Sequence, residues 1–338
     1  MSERKKILVV GAGGFTGGFI CDEGISRGYE VYAGIRSTTS RKWLSNPELH
    51  FVEFDFENPD SLSETIMSSL PEDEKWDYII YNLGATKAMR FQDFSRINYD
   101  YLRHFTGALK KTGKVPEKLL YISSLSVMGP LHEKDGKRFS EKDIPMPNTK
   151  YGASKLTAEM WLHTCGIPYI IFRCTGIYGP RDKDYFLMFD SIRKGFDFSV
   201  GFKPQNLSFL YVEDLASACY EALEKAPAGE VYNIAEEQTY SQKEFRKFAL
   251  NTMRKSFVVP LNLPMGAVKV VSAIAEKWGV ARMKPSTLNR DKYKIMKQRN
   301  WAVDTDKAFR DFGFKAMTHL KEGVEKSVKW YKEQGWLK

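Results

Sequence analysis

The sequence predicts an α/β fold built on a doubly wound parallel sheet, and three observations lead to this class. Short apolar runs alternate with segments of helical character through the first half of the 338-residue chain. The first run, Ile7–Val10, is apolar throughout, as a parallel strand that is buried on both faces requires. A glycine-rich turn, Gly11–Gly17, follows this run directly and leads into a helix. Alternation of this kind implies right-handed βαβ units.

Five more strands are predicted before residue 180. They are Glu30–Ile35, His50–Asp55, Tyr78–Asn82, Leu119–Ser123 and Tyr169–Arg173. Between the third and fourth strands a helix is expected to begin at Asn58, which can cap it, with Pro59 at the first helical position.

The pattern loosens after Tyr178–Pro180, where one helix (Val212–Leu223) and one more strand (Gly229–Ile234) precede a mostly helical remainder. In the last segment Leu320, Val324 and Val328 repeat at helical spacing, so one face of that helix should be buried. We therefore expect residues 1–180 and 206–235 to form the parallel-sheet domain. Residues 181–205 and 236–338 should form a smaller, mostly helical C-terminal lobe that is interleaved with it.

Composition excludes several classes of protein. With 43% hydrophobic residues the chain can bury a large core. The four cysteines are scattered and have no clustered histidines, which argues against a metal site or a disulfide framework and suits a reducing cytoplasm. The apolar run after Lys6 is too short for an export signal, and no stretch approaches the roughly 18 apolar residues of a membrane span. A cytoplasmic location is expected.

The net charge of +9 is concentrated in the C-terminal part of the chain. From residue 251 onward there are 19 Lys and Arg against 8 Asp and Glu, whereas the first 250 residues have 32 against 34. An anionic surface could attract this region weakly, and a solvated set of helices is the alternative. Its densest part, Arg290–Arg299, lacks the regular aromatic interleaving of a single-strand nucleic-acid platform, so no specific nucleic-acid binding is predicted.

The glycine turn predicts dinucleotide binding. Gly11, Gly14 and Gly17 form G-x-x-G-x-x-G between a strand and a helix. Side chains at these positions would keep the backbone away from a pyrophosphate, which rests on the exposed amides of a helix N-terminus. Together with the strand pattern, this predicts a Rossmann-type NAD(P)-binding domain.

The end of the second strand predicts NADP(H) rather than NAD(H). A carboxylate there would bind the 2′-hydroxyl of NAD, and a cation can accommodate the 2′-phosphate of NADP. Arg36 follows the strand directly, with Ser37 and Thr38 after it and Arg41 further on. Arg41 could equally be an ordinary surface residue.

Tyr151 and Lys155 lie four residues apart and so face the same way on a helix. The pKa of a free tyrosine is about 10, so the phenol is inert at neutral pH. Lowering it by about 3 units needs roughly 4 kcal/mol, which a lysine ammonium and an oxidised nicotinamide could supply together. Tyr151 is therefore the candidate acid/base of a hydride transfer. Ser124, at the end of a predicted strand, is the candidate for orienting the substrate oxygen, with Ser123 and Ser126 as rivals.

These three segments together resemble the extended short-chain dehydrogenase/reductases, the NAD-dependent epimerase/dehydratase family. The resemblance spans nearly the whole chain and is most specific in the cofactor half. The family pattern Ser-Ser-x-x-Val-Tyr-Gly selects Ser124 as catalytic, although Met128 replaces the tyrosine. The resemblance also implies that Lys155 holds the nicotinamide ribose, and that Asn98 supports the site unless it is a plain buried amide.

The resemblance implies further site residues and a homodimer. On the cofactor side these are Phe15, Thr16, Asp55, Phe56 and Leu83, where Asp55 would lie near the adenine amino group unless it is only a surface turn residue. On the substrate side they are Thr86, Ser126, Tyr178 and Leu207.

Three functions remain open at this stage. The first is an NADP(H)-dependent oxidoreductase that acts on a hydroxyl/carbonyl pair of an apolar or ring-containing molecule, as in the hydroxysteroid dehydrogenase and dihydroflavonol reductase branches. The second is a nucleotide-sugar epimerase or dehydratase, and the third is a non-catalytic dinucleotide-binding protein. Sugar-nucleotide members commonly have an arginine where Leu207 stands, and the segment Ser256–Ile274 is unusually apolar for a sugar site. Core packing is the alternative role for that apolar segment.

Overall fold

The computed structural model describes residues 4–255, 257–282 and 289–337. The strands are β1 (Lys6–Val10), β2 (Glu30–Ile35), β3 (His50–Glu53), β4 (Tyr78–Tyr81), β5 (Lys118–Ser124), β6 (Tyr169–Cys174), β7 (Gly176–Tyr178), β8 (Phe196–Val200), β9 (Phe209–Tyr211), β10 (Glu230–Ile234) and β11 (Val259–Leu263). The helices are α1 (Phe15–Ser26), α2 (Pro59–Ser68), α3 (Phe91–Ser95), α4 (Tyr101–Lys111), α5 (Lys150–Thr164), α6 (Asp184–Arg193), α7 (Val212–Lys225), α8 (Gln242–Met253), α9 (Met265–Ala281), α10 (Arg290–Lys297), α11 (Asp306–Phe312) and α12 (Leu320–Glu333).

A seven-stranded parallel sheet forms the centre of the molecule, in the order β10-β6-β5-β4-β1-β2-β3. Each pair of neighbours is parallel, which confirms the doubly wound class. The chain winds in opposite directions from β1 and β4, so a crevice opens at the carboxyl ends of these two strands. Ligands of open α/β sheets bind at such a switch point.

The strands alternate their side chains between two layers of helices. Ile7 and Val9 face a core shared with α1 and α7, whereas Leu8 and Val10 face a second core that includes side chains of α2, α4 and α5. Because both faces of the inner strands are covered, β1 and β4 are buried along their whole length and could be recognised from their apolar composition. The edge strand β3 differs, since only Val52 of its four residues is buried.

The helix cap predicted at Asn58 is present. Its side chain accepts hydrogen bonds from the amides of Asp60 and Ser61, and Pro59 begins α2. The strand before it, β3, ends at Glu53 rather than at the predicted Asp55.

The second lobe has its own core, to which α6, α8 and α12 contribute. Leu320, Val324 and Val328 are buried in it, as the helical spacing predicted. One region differs from the expected lobe: α11 and the following turn pack Phe312, Phe314 and Ala316 into the core beneath α7 and β10 of the sheet domain. The lobe also contains a two-stranded parallel sheet, β8 with β11, which the sequence analysis did not predict. Within the described ranges, no helix is long and apolar enough to cross a membrane.

Candidate active site

A cavity of about 1020 Å³ lies between the sheet domain and the lobe. Its domain wall is formed at the carboxyl ends of β1, β4, β5 and β6, which is the switch-point edge of the sheet. Its lobe wall comes from α6, β8, α8 and α10. The predicted cofactor turn and the predicted catalytic residues therefore face one common space.

Each of the three glycines of the turn is needed for a different structural reason. Gly11 has a φ of +84°, and a Cβ there would lie 2.8 Å from the backbone nitrogen of Leu83. A Cβ on Gly17 would lie 2.4 Å from the carbonyl oxygen of Gly11, so this glycine lets α1 pack closely on the turn. Of the three, Gly14 lines the cavity itself, beside Gly13.

The start of α1 fits a dinucleotide pyrophosphate. The N-cap is Gly14, which offers no side-chain acceptor to the amides of the first turn. Phe15 and Thr16 line the cavity at this point, and the Thr16 hydroxyl donates a hydrogen bond of 2.9 Å to Asn82 Oδ1. An uncapped helix N-terminus at a cavity wall is the arrangement that binds phosphate groups.

The two arginines after β2 differ in their surroundings. Arg41 is committed to an ion pair with Glu53 at 2.6 Å and lies over the Phe51 ring. Arg36 is exposed at the end of the strand; its backbone amide donates to Thr39 Oγ1 at 3.1 Å, and its carbonyl accepts from the Thr39 amide at 2.8 Å. No carboxylate within the described ranges forms an ion pair with the Arg36 guanidinium.

Six predicted cofactor residues lie outside the cavity walls: Gly11, Gly17 and Arg36, described above, and Asp55, Phe56 and Leu83. Phe56 is buried in the domain core and stacks on Tyr101, so a role for its ring in cofactor binding must be corrected to core packing. Leu83 packs partly against the same core, with its backbone beside Gly11. Asp55 is exposed after β3 and accepts a hydrogen bond from the Glu57 amide, which leaves its second carboxylate oxygen at the sheet edge.

Ser124, Tyr151 and Lys155 come together on the cavity wall. Tyr151 is hydrogen-bonded to Ser124, and both side chains face the cavity. Lys155 is 3% exposed; its Nζ donates to the Ile122 carbonyl at 2.6 Å and lies 4.2 Å from the centre of the Tyr121 ring.

The rival serines are placed differently. Ser123 is buried and donates to Glu159, which is also paired with Arg173 at 2.7 Å. Ser126 lines the cavity, and its amide donates to Ser124 Oγ at 3.2 Å. Of the three serines, Ser124 is therefore the one that is hydrogen-bonded to Tyr151.

The protein alone does not favour a Tyr151 phenolate. Burial raises the pKa of Tyr151 to about 12, and the hydrogen bond from Ser124 offsets this only in part. Burial likewise lowers the pKa of Lys155 to about 7, although the nearby Glu159 opposes the change. The lowering of the Tyr151 pKa stays a prediction, because it requires the charge of an oxidised nicotinamide in addition to that of Lys155.

Asn98 lies in a π-helical turn, Arg96–Asp100, and is completely buried. Its Oδ1 accepts from the Ala85 amide at 2.7 Å, and its Nδ2 donates to Ser154 Oγ at 2.8 Å. Ser154 in turn donates to the Tyr151 carbonyl. This network joins the loop after β4 to the helix that carries Tyr151, so the geometry fits the predicted supporting role.

The predicted substrate residues are not all on the cavity wall. Thr86, Ser126 and Leu207 line it. Tyr178 does not: its ring is buried in the lobe core against Phe209 and Tyr211, so its predicted contact with substrate must be corrected to core packing.

The sequence analysis missed the contribution of α10. Asp291, Lys292, Ile295 and Met296 of this helix line the cavity. The Asp291 carboxylate also accepts hydrogen bonds from the amides of Lys150 (2.8 Å) and Tyr151 (3.3 Å), at the first turn of α5. For this segment the sequence predicts either weak attraction to an anionic surface or a solvated helix, and neither prediction places it at the cavity. The four lining residues stand at positions i, i+1, i+4 and i+5, and this spacing along one side of a helix is the signal that could have found them.

Comparisons with known proteins agree with this arrangement. The model of the NAD dependent epimerase/dehydratase family matches residues 7–235. A dTDP-glucose 4,6-dehydratase of Neisseria gonorrhoeae is 26% identical over 97% of this chain and 96% of its own length. A decarboxylating sterol-4-alpha-carboxylate 3-dehydrogenase of Dictyostelium discoideum is 21% identical over 95% of this chain and 99% of its own. The solved dTDP-glucose 4,6-dehydratase of Bacillus anthracis, a complex with NAD, has a TM-score of 0.78 at 21% identity and covers 98% of both chains.

These relatives bear on function unequally. The dehydratases match the nucleotide-sugar alternative better than the apolar-substrate interpretation, and the NAD complex gives no support to NADP. The family match covers the strands, the glycine turn and the Ser124–Tyr151–Lys155 group together. The chain therefore belongs to the NAD dependent epimerase/dehydratase family and is an NAD(P)-dependent enzyme of the extended short-chain dehydrogenase/reductase type.

Proposed function

We propose that this protein is an NADP(H)-dependent oxidoreductase that interconverts a hydroxyl and a carbonyl on an apolar or ring-containing small molecule. The observation that carries the proposal is the cavity itself, in which the Ser124–Tyr151 pair faces a predominantly apolar lobe wall. That wall includes Phe198, Ile295 and Met296, and Leu207 lines the cavity beside them.

The residues divide the chemistry among them. Bound NADP(H) supplies or accepts the hydride. Tyr151, protonated because of its raised pKa, donates its proton to a carbonyl oxygen during reduction, and Ser124 holds that oxygen by a hydrogen bond. Lys155 would hold the cofactor ribose. A bound polar ligand would reduce the desolvation of Lys155, so the pKa of the side chain would rise and its charged form would be favoured.

The ion pairing of the cavity argues against a sugar diphosphate. Binding two phosphate charges in a partly dry cleft requires free cations nearby. The arginine of β6, Arg173, is locked to Glu159, and Lys87 pairs with Asp184 at 2.6 Å. Arg181 packs over the Phe19 ring on α1, with Asp22 at 3.6 Å. Its Nε and Nη1 have no hydrogen-bond partner among the described residues, so of these cations Arg181 is the one that retains free donors.

Lys183 and Lys292 also line the cavity, and neither has an ion-pair partner within the described ranges. Two separate lysines fit a substrate with a single carboxylate better than a nucleoside diphosphate, whose recognition usually employs bidentate arginine.

The NADP(H) preference rests on Arg36. The Arg36 guanidinium at the end of β2 forms no ion pair within the described ranges, and such a cation is suited to a 2′-phosphate. On this point the proposal departs from the Bacillus relative, which was solved with NAD.

A nucleotide-sugar epimerase or dehydratase is the second candidate, because the similarity to the dTDP-glucose 4,6-dehydratases extends over nearly the whole chain. Within this candidate, epimerisation is favoured over dehydration. Loss of water requires a general acid and a general base in addition to the tyrosine. The cavity carboxylates Asp182, Asp184 and Asp291 are all hydrogen-bonded or ion-paired.

The test is isothermal titration of the NADP-bound protein with UDP-, GDP- and dTDP-sugars and, in parallel, with steroid and flavonoid ketones. We expect binding of apolar ketones only, followed by oxidation of NADPH at 340 nm in a turnover assay. Leu207→Arg should weaken ketone binding at least fivefold, whereas the volume-conserving Leu207→Met should leave it within twofold. Micromolar binding of a nucleotide sugar, without response to the ketones, would establish the second candidate instead. Binding of NADPH with no turnover of any compound would indicate a non-catalytic protein.

A further inference from the structure

The substrate lobe carries an exposed apolar surface that its own fold does not cover. Of the 19 exposed large apolar side chains among the described residues, ten belong to β8, β11, α9 and the turns beside them. We call the surface formed by these three elements the lobe face. Scattered exposed apolar side chains are ordinary, but these ten are concentrated in neighbouring elements, since β8 pairs with β11 and α9 begins two residues after β11. Such a concentration marks an interaction site.

The small sheet contributes the first half of the lobe face. In the register of β8 with β11, Phe196 lies beside Val259, and Val200 lies beside Leu263. Phe196, Phe198, Val259 and Leu263 are all exposed, whereas Asp197, which points to the opposite side of β8, is buried and bonded to Arg246. Asp197 anchors β8 in the lobe, whereas β11 is exposed on both sides, since Pro260 and Asn262 are exposed as well. The exposed apolar side chains of the two strands lie on the side of Phe196 and Val259.

Helix α9 contributes the second half. Val270, Val271, Ile274 and Trp278 are exposed and form one stripe, whereas Val268 and Ser272 are buried on the side of α9 that packs on the protein. In a helix at the surface of a soluble protein the stripe pattern would be reversed, with polar residues outward.

The charges around the lobe face have one sign. Lys203, Arg254, Lys255, Lys269 and Arg282 are exposed in the same segments. The carboxylates described there are Asp197, which is buried, and Glu276, which pairs with Lys150 and Arg290. A basic rim around aliphatic and aromatic side chains, with tryptophan among them, is the chemistry that binds an anionic lipid surface.

The lobe face is continuous with the cavity. Phe198 is half-exposed on this face and at the same time lines the cavity together with Val200. Through Phe198 the lobe face therefore borders the cavity that contains the Ser124–Tyr151 pair.

We propose that the lobe face docks on an anionic lipid bilayer and that the substrate enters the cavity from it. The evidence for docking is the exposed apolar and basic side chains of the lobe. The proposed route of the substrate also depends on the proposed function, because it requires an apolar substrate.

The experiment is co-sedimentation of the full-length protein with vesicles of phosphatidylcholine, with and without an equal amount of phosphatidylglycerol. We expect binding to the anionic vesicles that weakens at high salt, with each basic residue near the surface contributing about a fivefold factor. The double variant Ile274→Glu, Trp278→Glu should bind these vesicles at least tenfold more weakly than the parent.

A matched control replaces two exposed apolar residues outside the lobe face with glutamate. Ile144 and Met317 are each 77% exposed and lie outside the lobe face, against 54% for Ile274 and 60% for Trp278. Ile144→Glu, Met317→Glu introduces the same two charges and should retain vesicle binding within twofold.

The outcomes separate the two proposals. Absence of binding to anionic vesicles, or an equal loss in the control variant, overturns the docking. So does a dimer in light scattering that the lobe-face variant abolishes, because the occupant would then be a second copy of the chain. Turnover of a water-soluble ketone without vesicles tests the proposed function separately, and the lobe-face variant should retain it.

Discussion

The sheet domain and the lobe build their parts of the cavity by different means. The domain presents backbone, at the Gly11–Gly17 turn and the uncapped start of α1, and surrounds it with a sheet covered on both faces. The lobe presents side chains from several separate elements and leaves one apolar face uncovered. Backbone recognition suits a ligand that does not vary, such as a dinucleotide, whereas side chains on loosely covered elements allow substrates to differ between relatives.

The largest effect should come from the domain wall. Tyr151→Phe removes the proton donor and keeps the ring packing, so we expect turnover to fall by at least about 1000-fold, or roughly 4 kcal/mol in the barrier. The dissociation constant of NADPH, measured by fluorescence titration, should change by less than twofold. A rate within tenfold of the parent would mean that Tyr151 is not the acid.

Lys155→Met tests whether burial of the Lys155 side chain lowers the free energy of unfolding of the protein. The pKa of Lys155 is about 7 in the folded protein against an ordinary value of 10.5, so between these values the unfolded chain binds more protons. The parent should therefore gain stability as pH rises through this window. Without cofactor, we expect the variant to be more stable than the parent by roughly 2–4 kcal/mol at pH 6, with the difference shrinking toward pH 10.

Urea unfolding at several pH values measures this difference. Lys150→Met, at an exposed position on the same helix, is the matched control and should show no such pH dependence. Parallel stability curves for Lys155→Met and the parent would contradict the burial effect. Turnover and NADPH binding should both be lost in Lys155→Met.

Arg36→Asp tests whether the Arg36 side chain makes the domain prefer NADP(H) over NAD(H). Losing a charge-assisted hydrogen bond costs about 1.5–3 kcal/mol, so NADP should bind roughly 10- to 100-fold more weakly while NAD binding improves. Arg41→Asp is the control, because Arg41 is already paired with Glu53. Tighter binding of NAD than of NADP to the parent would remove the basis of the prediction.

Asp291→Asn should have the smallest effect, and it tests the contact between the two regions. Asp291 is a positioning residue, because it acts on Tyr151 through the first turn of α5. Weakening such a cap costs about 1 kcal/mol, so we expect kcat to fall about fivefold with KM and the NADPH dissociation constant unchanged. Asp291→Glu should recover part of the rate.

A purely structural role would appear differently. In that case Asp291→Asn would lower the melting temperature without changing kcat. Glu276→Gln provides the comparison at the neighbouring contact, where Glu276 pairs with Lys150 outside the cavity.

Much of the domain followed from local patterns. The inner strands of the parallel sheet are short and buried on both faces, so their apolar composition located them. The glycine turn and the Tyr151–Lys155 spacing each depend on residues only a few positions apart. Ser124 could be distinguished from Ser123 only with the help of the family pattern, because both end the same strand. The structure then gave the physical difference, which is the bond of Ser123 to Glu159.

Which side chains line the substrate side of the cavity could not be predicted from local sequence patterns, because this depends on tertiary contacts. Tyr178 is the last residue of β7 and has a hydroxyl, yet its ring is buried against Phe209 and Tyr211. Leu207, which precedes the neighbouring strand β9, lines the cavity. Asp291 contacts a backbone amide 141 residues earlier in the chain. The sequence by itself determined the fold class, the cofactor turn and the tyrosine–lysine pair, because each depends on residues a few positions apart. Only the tertiary structure decided which side chains of the lobe face the cavity and which face outward, because these contacts join segments whose separation along the chain leaves no local pattern.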